Sequence, residues 1–344
     1  MNKPALDIIV PVWNRPIETR NCLVNLLNYS PDARFIMVDN GSDRETERLL
    51  QEFAEGLDDR AFLLRNDINQ GEVKALNRGL AKGEAEYLAV VRSSSLVSAG
   101  WVEPLLEFLR QRPDAGVVLP RLVNAANKKG EPHGHQPFAR EVCCGSFAAM
   151  LIRKKLYDAV GGFDEQMDGG IWCLNDYSRR ACRADFLTFS VAGGTVSFVD
   201  EVPLGSVARR EEMMRRTISL FRGRWGEDTA YCMVMPKGTD LSMVGRKLEL
   251  LLDGARRGVF FSVVVSSSLY KEMVRAGSVA LHENIRIEPL PLICTDSRIR
   301  KILARIVSER PDTVMVVGID GMGAPGVDNP LAFTELEERI RRLQ

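Results

Sequence analysis

Three apolar stretches near the amino terminus each run straight into a polar cluster. That repeat constrains the fold more than any other feature of the chain. Asp7-Ile-Ile-Val-Pro-Val-Trp13 hands over to Asn14-Arg-Pro16, Phe35-Ile-Met-Val38 to Asp39-Asn-Gly-Ser-Asp43, and Tyr87-Leu-Ala-Val-Val91 to Arg92-Ser-Ser-Ser95. Short apolar runs bounded by turn residues read as buried strands. Helical spacing fills the gaps between them. Residues 16–27 place Ile17, Leu23, Leu26 and Leu27 on one stripe behind Pro16, which suits a first helical turn. Residues 43–53 form a second helix, with Ser42 as its expected N-cap and Glu45 as capping-box partner. Residues 61–64 add a short strand, and residues 71–80 a helix that starts at the same edge as Asp39. A β-α-β-α-β-α-β rhythm argues for a parallel sheet, whose ligand edge is the carboxyl end of the strands.

The alternation continues with a helix at 104–110, a strand at 117–119, a long polar loop from 124 to 140 and a strand within 145–153. After Val160-Gly-Gly-Phe-Asp164, a helix is expected to begin at Asn175-Asp176. A closing strand follows at 196–199, then a helix over 213–226 that ends in Phe221-Arg-Gly-Arg-Trp-Gly226. Composition changes at 227–229, so two domains are expected, 1–228 and 229–344. The second reads as a small α/β domain with strands at 231–235, 259–265, 285–290 and 313–317. Its helices are expected at 241–257, 269–276, 297–309 and 332–343. It shows no catalytic motif. Gly318-Ile-Asp-Gly-Met-Gly323 is not G-x-G-x-x-G and reads as an ordinary turn.

Composition excludes some classes of function. Lys plus Arg number 46, as do Asp plus Glu, so no basic field argues for nucleic acid. No apolar run approaches the roughly 18 residues that span a bilayer; the longest, Val259-Phe-Phe-Ser-Val-Val-Val265, has strand length. The chain enters its first strand directly, with no signal-peptide core. The seven cysteines are scattered, Cys143 and Cys144 are adjacent, and no C-x-x-C occurs. Reduced thiols and a cytoplasmic location are the expectation.

Several residues at the strand ends carry chemistry. Asp39 can accept hydrogen bonds from a base or ribose, or close an Asx-turn over Asn-Gly-Ser. Pro11, Trp13 and Asn14 would line one wall of a pocket, and Asn-Arg-Pro is also a turn signal. Asn69, Gly71 and Lys74 open a helix. A glycine there allows close backbone approach, and a helix start favours anions. Trp172 offers an indole face for a sugar or for packing. His133 and His135 lack a third partner and read as solvated loop residues rather than metal ligands.

Taken together, Val10-Pro-Val-Trp-Asn14, Val38-Asp-Asn-Gly-Ser42, Asn69-Gln-Gly71 with Ala75-Leu-Asn-Arg-Gly79, and Gly100-Trp101 resemble the nucleotide-binding half of the family 2 glycosyltransferases, which have the GT-A fold. The Gly-Gly-Phe-Asp164 turn extends the likeness over about the first two-thirds of the chain. The resemblance implies a nucleoside-diphosphate sugar as donor, with Asp39 contacting the base. It implies a hydroxyl acceptor on a glycan, a lipid-linked carrier or a protein, and inverting transfer with Asp176 as catalytic base. The family usually holds Mg²⁺ or Mn²⁺ on an aspartate near the position of Ser94, helped by a downstream histidine. Here Ser93 and Ser94 stand at the strand end, and Phe198-Val-Asp-Glu201 has no histidine, so the motif is degenerate and no metal ligand is assigned. Arg92 is either a replacement for the metal charge at the diphosphate or a surface residue. The rival reading is a non-catalytic homologue that binds a nucleotide, a glycan or a protein partner. A nucleotidyltransferase would need a Gly-rich, Lys-containing loop after the first strand, which is absent.

Overall fold

Strand β1 (Leu6–Val12) is buried along its length except at Pro11, because parallel neighbours flank it on both sides. The computed structural model describes residues 5–125, 138–168, 171–199, 207–236, 238–292, 295–321, 327 and 329–343. Within them the chain divides into two compact units, Met1–Ala139 with Cys144–Gly226, and Arg140–Cys143 with Glu227–Gln344.

In the first unit, β1 is followed by α1 (Pro16–Tyr29), β2 (Arg34–Asn40), α2 (Arg44–Leu57), β3 (Ala61–Asn66), α3 (Glu72–Leu80), β4 (Tyr87–Val91), β5 (Leu96–Val97) and α4 (Glu103–Gln111). Next come β6 (Ala115–Asn124), β7 (Ala139–Glu141, of which Arg140 and Glu141 fall in the second unit), β8 (Ala149–Arg153), α5 (Lys154–Val160), α6 (Ile171–Arg183), β9 (Leu187–Phe198) and α7 (Val207–Trp225). The sheet runs in the order β3-β2-β1-β4-β8-β6-β9-β5. Strands β3, β2, β1 and β4 are parallel, as the rhythm of the sequence predicts. β8 then runs antiparallel to both β4 and β6. The sheet is therefore mixed beyond β4.

The core explains these choices. Leu23 and Leu26 of α1 and Leu50 of α2 bury against Ile8, Val10, Phe35 and Met37. Trp101 is fully buried and donates its indole N–H to Ser30 Oγ at 3.0 Å. Asp7 is buried too, but no acceptor is wasted. Arg34 grips it through two bonds of 2.8 Å, and the backbone N–H groups of Glu84 and Ala85 add two more.

Two expectations shift. The N-cap of α2 is Asp43, whose carboxylate accepts from the Thr46 N–H at 2.9 Å, and Ser42 serves the strand-end turn instead. The helix expected to begin at Asn175 spans Ile171–Arg183, so Asp176 sits inside α6 rather than at its cap.

The second unit has four parallel strands, β10 (Ala230–Val234), β11 (Phe260–Val265), β12 (Ile285–Pro289) and β13 (Val314–Val317), in the order β12-β11-β10-β13. Helices α8 (Leu241–Arg256), α9 (Ser267–Arg275), α10 (Asp296–Glu309) and α11 (Phe333–Arg341) connect or follow them. Val244, Leu248 and Leu251 of α8 pack on Phe261 and Val263. Residues 140–143 belong to this unit. Glu141 exchanges backbone bonds with Leu281 and Glu283, and its carboxylate takes two bonds of 2.7 Å from Arg256. No described helix is long and apolar enough to cross a membrane.

Candidate functional site

The carboxyl ends of β1 and β2 are knotted together by side chains. Pairing sets Val12 beside Asp39, and Asp39 and Asn40 beside Arg65 and Asn66. Asn14 follows β1 with a left-handed backbone, φ 56°. Its N–H donates to Ser42 Oγ at 2.9 Å, and its Oδ1 accepts from the Asp43 N–H at 2.8 Å. Asp39 is buried. One of its oxygens accepts from the Ser42 N–H at 2.9 Å, and the other lies 3.2 Å from Arg65. The carboxylate thus closes the Asn-Gly-Ser turn from three residues back rather than as the two-residue Asx-turn, with a guanidinium added. Pro11 is half-buried in β1, and Trp13 is exposed beside the turn.

Asn40 is the hub of the next layer. Its amide donates to Asn69 Oδ1 and to the Gly71 carbonyl at 3.0 Å each, and its Oδ1 accepts from Asn66 Nδ2 at 2.8 Å and from the Gln70 N–H at 3.1 Å. Asn69 Oδ1 also receives the Gly71 N–H at 2.9 Å. This network brings Asn69 and Gly71 to the edge that carries Asp39. Gly41 makes the approach possible. Its φ is 74°, and a Cβ there would stand 2.5 Å from the backbone carbon of Ile68. Sequence reasoning missed Asn40. The signal available was an asparagine buried at a strand end, which needs several partners.

Gly71, with φ 100°, precedes α3, and Lys74 on its first turn is exposed. Arg92, just after β4, is paired with an acid. Its Nε and Nη2 lie 3.2 and 3.1 Å from one oxygen of Glu72 on α3. Ser94 is half-buried in the turn that follows, closed by the Ser95 N–H on the Arg92 carbonyl. The groups that β4 itself presents at this end are neutral hydroxyls and a guanidinium, and the Glu72 carboxylate beside them is paired with that guanidinium. A hard divalent cation needs anionic oxygens, so the donor set does not fit one. Among the described residues, no cluster of three His, Cys, Asp or Glu side chains has metal-binding geometry. His133, His135, Asp200 and Glu201 lie outside the described residues.

Asp176 is fully buried on α6 and has three donors. Arg180 Nε reaches it at 2.8 Å, Arg224 Nη1 at 2.6 Å and Trp225 Nε1 at 2.9 Å. Arg180 sits one turn on and also donates to the carbonyls of Val160 and Gly162. Arg224 also holds Asp164 at 2.7 Å. Burial works to raise the Asp164 carboxyl, but the Gln166 N–H and Arg224 outweigh it and hold it below the usual range. The Gly-Gly-Phe-Asp turn, α6 and the end of α7 are therefore locked by one ion network. That is a structural employment for Asp176. The residue is not a helix cap, and in this arrangement three donors hold its carboxylate. The sequence places Arg224 and Trp225 at the end of a helix but gives no sign of their target.

Trp172 packs its ring on Phe221 of α7, with centroids 4.8 Å apart, and its buried indole N–H has no partner among the described residues. The packing role thus accounts for its face. Tyr177 also has a buried hydroxyl without a partner, and burial pushes its pKa up.

The family model described as "Glycosyl transferase family 2" matches residues 7–165. An uncharacterized glycosyltransferase of Haemophilus influenzae is 29% identical over 112 residues, which cover 32% of this chain and 44% of that one. A PGL/p-HBAD biosynthesis glycosyltransferase of Mycobacterium bovis is 23% identical over 250 residues, covering 68% of this chain and 96% of that protein. The chain spans less than half the length of the curated relatives it matches first. Among solved structures, the crystal structure of GalNAc-T7 with UDP, GalNAc and Mn2+ superposes with a TM-score of 0.51 at 12% identity. The match covers 63% of this chain and 50% of that one. At that identity the likeness concerns the fold alone, which is GT-A.

Proposed function

We propose, from the match of residues 7–165 to the model described as glycosyl transferase family 2, that the first unit binds a nucleoside-diphosphate sugar at the carboxyl edge of β1, β2 and β4 and passes the sugar to a hydroxyl. The acceptor hydroxyl would belong to a glycan, a lipid-linked carrier or a protein. The observation that carries this reading is the Asn40 network. It fixes Asn69 and Gly71 beside Asp39 with a bond at every position, which preorganises a polar wall for a base and ribose. Pro11, Trp13 and Asn14 supply the adjoining wall. The scattered thiols support a cytoplasmic setting.

Inverting transfer needs a carboxylate to take the acceptor proton as the sugar carbon is attacked. Asp176 is the acid that the sequence offers. To serve, one of its oxygens has to leave Arg224 and Trp225, which means that the end of α7 moves. A second reading, binding without transfer, is favoured by that same saturation and by Arg92 being paired with Glu72.

One experiment separates these readings. Isothermal titration with UDP, GDP and their sugar conjugates, with and without Mn²⁺, tests the pocket. Release of free nucleoside diphosphate in the presence of acceptors tests transfer. Binding with release supports the transferase, binding without release supports the rival, and no binding by any nucleotide overturns both.

A further inference from the structure

Asp176 is occupied by its own fold, and a different carboxylate faces the donor edge. Asp168 lies so close to Gly71 that a Cβ on that glycine would stand 2.1 Å from its Oδ2. Gly71 is the residue before α3 and part of the turn that Asn40 and Asn69 hold. The Cys173 thiol reports the same neighbourhood. Burial pushes it up first, and the carboxylates of Asp168 and Glu72 push it further. Glu72 in turn carries Arg92. A segment far along the chain therefore returns an acid to the turn that lines the candidate pocket.

The chemistry of a carboxylate at that place is selective. It has about four lone-pair sites and no hydrogen to give, so one partner leaves room for others. It repels a phosphate that approaches the start of α3, and it welcomes hydroxyl groups. The bare Cα of Gly71 is what admits it, since any side chain there would occupy the position of the carboxylate. Resting on the nucleotide-sugar reading above, we propose that Asp168 is a specificity-determining residue of the donor site, accepting hydrogen bonds from a hydroxyl of the bound ribose or sugar.

The test is titration of the wild-type chain, Asp168→Asn and Asp168→Glu with UDP, 2′-deoxy-UDP, GDP, UDP-glucose and GDP-mannose. The asparagine variant is isosteric and removes only the charge and part of the acceptor capacity. Its affinity for the nucleotide sugar that the wild type binds is expected to fall about tenfold, the scale of one charge-assisted hydrogen bond. A loss confined to nucleotide sugars assigns the hydroxyl to the sugar. A loss shared by UDP, but not by 2′-deoxy-UDP, assigns it to the ribose. Asp168→Glu keeps charge and acceptor and should recover part of the affinity. Unchanged or tighter binding of every probe by Asp168→Asn, or a glutamate variant no better than the asparagine one, would overturn the inference and leave the functional reading standing. A wild-type chain that binds no probe would overturn both.

Discussion

Arg224, at the end of α7, meets the buried carboxylate of Asp176 at 2.6 Å while its second amino group holds Asp164. One cation at the rim thus ties two acids from separate segments. Removing it by Arg224→Met leaves Asp176 with Arg180 and Trp225, so the loss is smaller than for a fully orphaned charge, about 2–3 kcal/mol. The melting temperature of the first unit should drop by roughly 4–10 °C. A variant that melts with the wild type would mean that the network contributes nothing to stability.

Asp176→Asn distinguishes structure from catalysis at the same residue. If Asp176 takes the acceptor proton, turnover falls by about 10²–10⁴-fold with donor affinity nearly preserved. If it serves the ion network alone, the variant melts early and keeps its turnover per folded molecule. Parallel measurement of melting and initial rate decides between these outcomes.

At the base pocket, Asp39→Ala removes the acceptor of the Ser42 N–H and the partner of Arg65. Asn40→Ala removes the hub of four hydrogen bonds. Each is expected to weaken nucleoside diphosphate binding by about 1–3 kcal/mol, the range for a lost buried partner. Titration of folded variants checks this. Undiminished affinity in both would move the pocket elsewhere.

Much of this edge was legible in the sequence because strand-end turns are local. Asp39, Asn69 and Gly71 announce themselves by residue type and spacing. Asn40 did not, since its partners Asn66 and Gln70 lie across a helix and a strand from it. The partner of Arg92 is hidden for the same reason, because Glu72 lies 20 residues before it and meets it only in the folded chain. The start of α6 was placed too late because Ile171 and Trp172 follow a Gly-Gly pair and look like loop. The role of Asp176 depends on Arg224, which helical periodicity cannot bring to it.

The Arg92–Glu72 pair sets up a charge test. Glu72→Gln frees the guanidinium, so the bare diphosphate should bind several-fold more tightly, whereas Arg92→Ala should weaken the diphosphate more than the nucleoside. Neither effect should need Mg²⁺ or Mn²⁺. Titration in EDTA checks this, and strong Mn²⁺ dependence would show that acids elsewhere build a metal site.

In the second unit, His282 is buried, and its Nδ1 accepts the Asn284 N–H at 3.0 Å. Burial, and then Arg256 and Arg140, push its pKa down from 6.5 to about 3. The unfolded chain takes a proton below pH 6.5 that the folded unit refuses until about 3. The contribution of His282 is therefore full above pH 6.5 and is lost as the pH falls toward 3, by at most about 1.4 kcal/mol per unit. Unfolding of the full chain at pH 7 and pH 5 should show a shallower acid slope for His282→Asn than for the wild type. Parallel slopes would remove His282 from the acid response.

The pairing of Glu141 with Arg256 bears on how this protein could have been assembled. Residues 140–143 are encoded in the middle of the first unit's stretch but serve the second. Moving residues 227–344 to another gene as a cassette would leave Arg256 without its carboxylate and the 281–283 backbone without its neighbour. The same excision would strand an acid in the donor gene. The two units therefore form an interleaved pair, and an exchange of either by recombination at a single crossover carries a penalty that a simple tandem arrangement would not impose.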